Sequence, residues 1–243
     1  MMRRYLLIIA MFAISINVFA DMPILETFEN DVIGNLPSNW KAKEGVTTDE
    51  FVVVSSPVMN GSKALKVNSK VDDHGIWIEF GKTVAVVSVE FWIYPDLAER
   101  SATLLMLNGS VNRADAGPYF CWGKTVGVIT YYAGGWKPAN TQFDAQKWTY
   151  AKVVADSGTD TFDLYLGGGP DALPAQPQED NLPYRVPVDG FDRIMFLGWS
   201  DTVGPAYVDD ILVYEGNVRP AGLVAPVEPW DKAAVVWGAI KSD

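Results

Sequence analysis

Short runs of alternating hydrophobic and polar residues follow one another along most of the chain. In one such run, Ile76, Ile78 and Phe80 share one side, opposite Trp77 and Glu79. This period of two is typical of β-strands that bury one face. Clusters of Gly, Pro, Asn and Asp separate the runs, as turns do between short strands. The pattern predicts a chain built from strands, with no helix of ordinary length between residues 21 and 220.

The predicted strands are short and follow one another closely, and the shortest intervals between them match the spacing of about 8–12 residues that is typical of all-β domains. They are Leu25–Glu29, Phe51–Val54, Ala64–Asn68, Gly75–Phe80, Val84–Tyr94, Thr103–Leu107, Tyr119–Trp122, Gly127–Tyr132, Trp148–Ala155, Thr161–Leu166, Arg193–Trp199 and Tyr207–Tyr214. A set of this size and spacing predicts an all-β fold, either a β-sandwich or a β-barrel. Two longer segments between strands, Asn108–Pro118 and Gly167–Pro187, are predicted to be surface loops.

The strand Val84–Tyr94 has two different faces. Its aliphatic side chains alternate with Glu90, Trp92 and Tyr94. The aliphatic face belongs between the two sheets of the sandwich. We therefore expect the mixed face formed by Glu90, Trp92 and Tyr94 to look outward.

The two ends of the chain differ from its middle. Arg3 and Arg4 precede the apolar stretch Tyr5–Ile16, and Val18-Phe19-Ala20 resembles a cleavage site. Residues 1–20 are thus predicted to be a signal peptide, with no membrane insertion after cleavage and a secreted, extracellular or periplasmic location. Residues 21–216 form the predicted all-β domain. Residues 217–243 read as a Pro-containing linker and a short amphipathic tail, which is a packed end, a frayed end or a docking tag.

Charge and cysteine content narrow the classes of partner. The chain has 19 basic and 30 acidic residues and a formal charge of −11; without Arg3 and Arg4, 17 basic residues face 30 acids, a charge of −13. An acidic surface disfavours nucleic acids and anionic membranes. The single cysteine, Cys121, cannot form an intramolecular disulfide, and its place in an apolar strand predicts that it is buried.

Three phrases occur in the order found in laminin-G-like and concanavalin-A-like domains, a group that includes lectins and glucanases. They are the strand Val89–Pro95, the hairpin Trp148–Gly168 and the closing strand Tyr207–Tyr214. The resemblance spans about residues 24–216 and implies a two-sheet antiparallel β-sandwich, a jelly roll with this family's strand order. The resemblance indicates the fold and does not identify a ligand.

The resemblance also implies a structural Ca²⁺ ion between the first and last strands. By position, Asp209 would supply a carboxylate, Gly61 a backbone carbonyl and Glu29 a second acid. Such ligands suit Ca²⁺, which takes six to eight oxygen atoms. The alternative is that Asp209 hydrogen-bonds a neighbouring loop and that no metal is bound.

Catalytic signatures are weak in this chain. The paired-carboxylate run of related glucanases is absent from the sequence, and the only histidine is His74, in a predicted turn. The chain is therefore expected to be non-catalytic. The enzyme alternative is a divergent polysaccharide lyase or glycoside hydrolase, and it predicts a groove that holds clustered ionisable groups, for example Glu90, Lys152 and Arg193 on one face.

Residues suited to carbohydrate binding are easier to identify in this sequence than catalytic residues. Tyr131, Tyr132 and Trp136 lie around a predicted hairpin tip, where aromatic faces can stack on the apolar face of a sugar ring. The mixed face of Val84–Tyr94 is the second choice. The sequence thus predicts a lectin-like or adhesion domain that recognises an extracellular polysaccharide or glycoprotein. A further alternative is a structural surface module anchored through its C-terminal tail.

Overall fold

A computed structural model describes residues 22–221 and residue 223, and in them the predicted all-β sandwich is confirmed. Almost all the regular structure is strand. The strands are β1 (Ile24–Glu26), β2 (Lys41–Ala42), β3 (Phe51–Val54), β4 (Ala64–Val67), β5 (Gly75–Val84), β6 (Val86–Pro95), β7 (Thr103–Leu107), β8 (Tyr119–Thr125), β9 (Val128–Tyr132), β10 (Trp136–Gln142), β11 (Thr149–Asp156), β12 (Thr161–Gly167), β13 (Glu179–Pro183), β14 (Phe191–Leu197) and β15 (Ala206–Glu215). Single 3₁₀ turns span Arg113–Asp115 and Pro170–Ala172.

The strands form two antiparallel sheets that pack face to face. Sheet A has the order β13-β12-β11-β6-β15-β4-β3, with β1 paired to β15. Sheet B has the order β10-β9-β8-β7-β14-β5-β2. Neighbours in sequence are often not neighbours in a sheet, as in a jelly roll. The first and last strands lie side by side, which the family resemblance implied.

The core lies between the inner faces of the two sheets. The predicted inward set of β6 is confirmed, because Val89, Phe91 and Ile93 are fully buried there. The ring of Phe91 packs edge-on against Trp122 and Phe196 of sheet B, at centroid distances of 5.7 and 6.3 Å. Burying one such side chain stabilises the fold by roughly 1.5–3 kcal/mol. These rings therefore fix how the sheets sit on each other.

Three edge strands, β2, β10 and β13, were not predicted from the sequence. Strand β10 begins at the predicted hairpin tip, and β13 lies inside the predicted loop Gly167–Pro187. Both contain proline, which sheets tolerate at an edge because one side of an edge strand needs no ladder hydrogen bond. The two edges meet across the sandwich, where the Thr141 hydroxyl donates to buried Glu179 at 2.8 Å.

The outer face of β6 is not open to solvent, which corrects the expectation for its mixed face. Glu90 and Trp92 are each only 1% exposed, and Tyr94 is half-buried. Trp92 packs edge-on against Tyr150 of β11 at 5.1 Å, and residues 216–219 fold back over this part of sheet A. The period of two gave the direction of these side chains correctly, but not what covers them.

The predicted signal peptide and nearly all of the predicted tail lie outside the described residues. Of the tail, residues 217–221 and 223 are described, and Arg219 contacts sheet A. Within the described part of the chain, no helix is long and apolar enough to cross a membrane. Cys121 is buried, as predicted.

Candidate functional site

The outer face of sheet B carries a layer of aromatic rings interleaved with arginines. We call it the aromatic–arginine face. Its members come from strands and loops far apart in sequence: Arg100, Arg113, Tyr119, Tyr132, Trp136, Arg185 and Trp199.

Tyr119 of β8 lies at the centre of these rings. Tyr132 stacks on it with centroids 5.6 Å apart, and Trp199 lies nearly parallel to it at 6.3 Å. Trp136 meets Tyr119 edge-on at 5.0 Å. Tyr119 is buried, whereas Tyr132, Trp136 and Trp199 are half-buried. Three partly exposed rings thus share one surface over a buried fourth.

Strand alternation explains why these rings come together. In β8, Phe120 points into the core, so Tyr119 points outward. Phe120 pairs in register with Tyr131, which places Tyr132 on the same outer side as Tyr119. The chain then reverses through Ala133-Gly134-Gly135, where Gly134 has a φ of +67° that favours glycine. Trp136 pairs directly with Tyr132 as a result.

The arginines stack on these rings. The Arg100 guanidinium lies 5.0 Å from the Trp136 ring centroid and 4.6 Å from that of Trp199. Arg113, in the 3₁₀ turn between β7 and β8, lies 4.1 Å from the Trp199 centroid. Arg185 lies 4.5 Å from the Tyr132 centroid. Such cation–π contacts are worth about 0.5–2 kcal/mol each and hold ring and charge in fixed positions.

The structure brings together two of the three residues predicted at the hairpin tip. Tyr132 and Trp136 belong to the aromatic–arginine face. Tyr131 does not, because its register with Phe120 turns it inward, where its ring meets Phe162 at 6.5 Å. The face also includes side chains that sequence reasoning missed: Arg100, Tyr119, Arg185 and Trp199. Arg113 comes from the predicted surface loop Asn108–Pro118, and Arg185 comes from the predicted surface loop Gly167–Pro187.

The second predicted binding set lies on the opposite sheet. Glu90 and Trp92 are sealed in sheet A, so neither can touch a ligand without rearrangement. Tyr94 is half-buried, and its ring meets Trp148 at 5.5 Å and Tyr207 at 6.0 Å. These three rings form a smaller aromatic patch on sheet A, without the arginines seen on sheet B.

Glu90 is the centre of a buried polar network. The hydroxyls of Tyr150 and Tyr214 donate to its two oxygens at 2.7 and 2.5 Å. The Arg219 guanidinium also donates to Glu90, and the Lys152 ammonium lies 3.7 Å from it. Lys152 in turn donates to the carbonyl of Asn217 at 2.8 Å. The network therefore binds the chain just beyond β15 onto sheet A.

Electrostatics keep this carboxyl group ionised. Burial alone would raise the pKa of Glu90, but hydrogen bonds from Tyr214, Tyr150 and Arg219 together lower that pKa below its usual value. Burial lowers the pKa of Lys152. A charged acid that is sealed and fully hydrogen-bonded is suited to holding structure, since a general acid or base must reach the reacting atom.

The groove required by the enzyme alternative does not assemble. Glu90 and Lys152 do meet, but Arg193 lies on the other sheet. There its guanidinium pairs with Asp192 at 2.7 Å and with Glu79 at 3.5 Å. The three groups expected on one face are therefore divided between the two outer faces of the sandwich.

Between the first and last strands, where calcium binding is predicted, backbone N–H groups hydrogen-bond the Asp209 carboxylate. Both oxygens of Asp209 accept backbone N–H bonds, from Met59 and Asn60 at one oxygen and from Asp210 at the other. Burial, and then the charge of Asp210, raise the pKa of Asp209 to about 7. The loop around Gly61 is thus tied to the last strand by hydrogen bonds.

Glu29 also hydrogen-bonds the loop around Gly61, from the other side of that loop. Its carboxylate accepts the N–H groups of Ser62 and Lys63 at 2.8 and 2.9 Å. The Lys63 ammonium donates to the backbone carbonyls of Glu29 and Asp31 at 2.7 and 2.8 Å. The other Glu29 oxygen accepts the Ser62 hydroxyl at 2.8 Å, so all four carboxylate oxygens of Asp209 and Glu29 have protein donors. No group of metal-binding acids is found among residues 22–221. These contacts favour the alternative in which Asp209 hydrogen-bonds a neighbouring loop, and the calcium site stays a prediction from the resemblance.

Comparisons with known proteins bear on the fold. No family model and no curated protein matches the sequence. Among solved structures, a sialidase matches 82% of this chain at 10% identity with a TM-score of 0.57, and the chain spans only 19% of that protein. The catalytic domain of a glycoside hydrolase family 131 protein from Coprinopsis cinerea matches 82% of this chain and 97% of that one, at 15% identity and a TM-score of 0.52. The globular domain of T. cruzi calreticulin matches 80% of this chain and 88% of that one, at 9% identity and a TM-score of 0.52. These likenesses confirm the predicted jelly-roll fold of the lectin and glucanase type.

Proposed function

We propose that this protein is an extracellular, non-catalytic carbohydrate-binding domain and that the aromatic–arginine face is its binding surface. Its partner would be a polysaccharide or the glycan of a glycoprotein. The extracellular location follows from the predicted signal peptide. The acidic composition makes a nucleic acid an unfavourable partner.

One observation carries the proposal. Tyr132, Trp136 and Trp199 are partly exposed on one sheet face and are fixed by a buried ring and by stacked guanidinium groups. Rigid aromatic rings can accept the apolar face of a pyranose with little loss of conformational entropy, and neighbouring N–H donors can bind its hydroxyls. A sheet face offers a long shallow surface, which suits a glycan chain.

A binding screen and one pair of variants test the proposal. The full chain is applied to a glycan array, and its affinity for the best glycan is measured by titration calorimetry. Trp136→Ala removes a ring from the aromatic–arginine face. Trp148→Ala is the matched control, because it removes a half-buried indole from the small aromatic patch of sheet A.

We expect Trp136→Ala to weaken binding by about tenfold or more, which corresponds to about 1.4 kcal/mol, and Trp148→Ala to leave affinity unchanged. Near-ultraviolet circular dichroism of both variants checks that the fold is retained. A loss confined to Trp148→Ala would move the site to sheet A and refute the proposed surface. No binding to any glycan on the array would refute the function.

A further inference from the structure

The aromatic–arginine face carries cationic groups, although the chain as a whole is strongly acidic. Arg100 and Arg113 both lie over the Trp199 ring, and Arg185 lies over the rings of Tyr119 and Tyr132. Arg185 lies 5.2 Å from the centroid of Tyr119, the ring on which Trp199 stacks. A neutral sugar needs hydrogen-bond donors, but it does not need this concentration of charge.

Nearby carboxylates satisfy these guanidinium groups only in part. Asp201 accepts from Arg100 at 2.7 Å, but it also accepts from Lys124 at 2.8 Å. Asp73 pairs with Lys43 at 3.2 Å and lies 3.9 Å from Arg113, at the limit of an ion pair.

Asp72 offsets a further part of the charge, because it interacts electrostatically with Arg113 and Arg100. Asp72 accepts the backbone N–H of Ser200. Among residues 22–221, no carboxylate lies within ion-pair distance of Arg185, which is half-buried and stacks on Tyr119 and Tyr132. The face therefore keeps positive charge that the described part of the chain does not neutralise.

Several hydrogen-bond donors in the same cluster also lack acceptors. They are Nε and one terminal nitrogen of Arg100, one terminal nitrogen of Arg113, the Tyr119 hydroxyl and the Trp199 indole nitrogen, none of which has a partner among the described residues. Arg100 is only 4% exposed and Tyr119 only 1%. A buried donor without an acceptor costs about 1–3 kcal/mol. These donor atoms are buried, so the guanidinium groups that can meet a ligand at the surface are those of Arg113 and Arg185, which are partly exposed.

The stacking geometry suits a planar anion. A guanidinium that stacks on a ring uses its face, so the in-plane N–H groups along its edge stay free to bind a carboxylate with two parallel hydrogen bonds. The guanidinium carbon of Arg113 lies over the Trp199 ring at 4.1 Å from its centroid, and that of Arg185 lies over the Tyr132 ring at 4.5 Å. Each places a possible carboxylate site beside a ring that can hold a sugar.

We propose that the aromatic–arginine face selects acidic glycans whose sugars carry a carboxylate, of which uronic-acid polymers are the representative class. The inference rests on the proposed carbohydrate-binding function and names the ligand class of the same face. Rings bind the pyranose, and the arginines bind its carboxylate. Because part of the attraction is between exposed charges, affinity should fall as salt concentration rises.

The test compares polymers that differ only in charge. The full chain is titrated with polygalacturonate and with the same polymer as its methyl ester, and with dextran sulfate as an anion of another geometry. Arg185→Gln removes the guanidinium that has no carboxylate partner. Arg193→Gln is the control, because Arg193 lies on the same sheet but is paired with Asp192 and Glu79. Melting curves verify that both variants fold.

We expect the acid polymer to bind about tenfold tighter than its ester, and Arg185→Gln, but not Arg193→Gln, to remove most of that difference. Equal affinity for acid and ester would overturn the inference, and so would dextran sulfate binding as tightly as the polyuronate. If a neutral glycan on the array binds and polygalacturonate does not, this inference fails and the proposed function stands. If no glycan of any charge binds, both fail.

Discussion

The buried Glu90 network gives the sharpest prediction about stability. Glu90→Gln keeps the shape of the side chain and removes its charge. If the amide oxygen stays beside Arg219 and Tyr150, the amide nitrogen takes the place of the oxygen that accepts from Tyr214, where it can only donate and lies near the Lys152 ammonium. The substitution therefore breaks a buried ion pair and misplaces one hydrogen bond.

The size of the loss follows from burial. Glu90 is 1% exposed, and removing one member of a buried pair costs about 3–5 kcal/mol. The Arg219 side chain is 22% exposed, so water can stabilise its charge in part, and we expect about 2–4 kcal/mol. For a domain of this size, 1 kcal/mol lowers the melting temperature by about 2–4 °C. The variant should thus melt about 5–15 °C below the wild type.

Denaturant unfolding at pH 7, followed by tryptophan fluorescence, measures the difference directly. Tyr150→Phe is the companion variant, because it deletes one hydroxyl bonded to Glu90 and keeps the ring that packs on Trp92. We expect it to cost about 1–2 kcal/mol. If Glu90→Gln unfolded within about 0.5 kcal/mol of the wild type, the network would not stabilise the fold and the reasoning would be refuted.

The pH dependence of this difference has a fixed sign. The pKa of Glu90 is lowered in the folded state, so its contribution is present above the unfolded pKa and is lost as pH falls through the folded pKa. The gap between wild type and Glu90→Gln should therefore narrow in acid. A gap that widened as pH fell below about 4 would contradict the assignment of a charged Glu90.

Three further predictions concern the corner between the first and last strands. The pKa of Asp209 is raised to about 7, so the stability that this group contributes is complete below the unfolded pKa and is lost as pH rises through about 7. The free energy of unfolding of the wild type should therefore increase from pH 8 to pH 5 relative to that of Asp209→Asn. Parallel pH profiles of the two proteins would count against this assignment. Because the oxygens there accept N–H groups, EDTA should leave the melting temperature of the full chain unchanged, whereas a drop that calcium restores would establish a metal site. Gly61→Ala should lower the free energy of unfolding by about 1–3 kcal/mol, because Gly61 has a φ of +64° and a Cβ there would overlap Glu29. Gly34→Ala is the control, since Gly34 has a φ of +89° and open space around it, and it should cost less stability. Equal losses in the two variants would show that the contact with Glu29 has no effect.

Side-chain alternation was enough to predict most of the fold. Short apolar runs such as Phe51–Val54 and Thr103–Leu107 also have the predicted bounds; burial alternates along the first strand, whereas the second is buried throughout. Strands β10 and β13 carry proline and polar residues, and pairing at a sheet edge, which is a long-range event, decides their conformation. Sequence pattern alone does not contain that information.

The candidate site was predictable only in part for the same reason. Tyr132 and Trp136 could be proposed because a three-residue hairpin turn brings them together locally. Tyr119 and Trp199 join them through the order of strands in sheet B, and Arg100 joins them through a loop. Glu90 was expected to be exposed because alternation gives the face a side chain points to, and it does not reveal that tyrosines and residues 216–219 cover that face.

The most direct test of the central claim is to locate the ligand on the protein. Hydrogen–deuterium exchange of the full chain is measured with and without the tightest-binding glycan. The account predicts slower exchange in residues 113–136 and 198–202, around the aromatic–arginine face, and no change in residues 88–94 and 150–154 of sheet A. Protection confined to those sheet A segments would contradict the claim that the rings and arginines of sheet B form the binding surface.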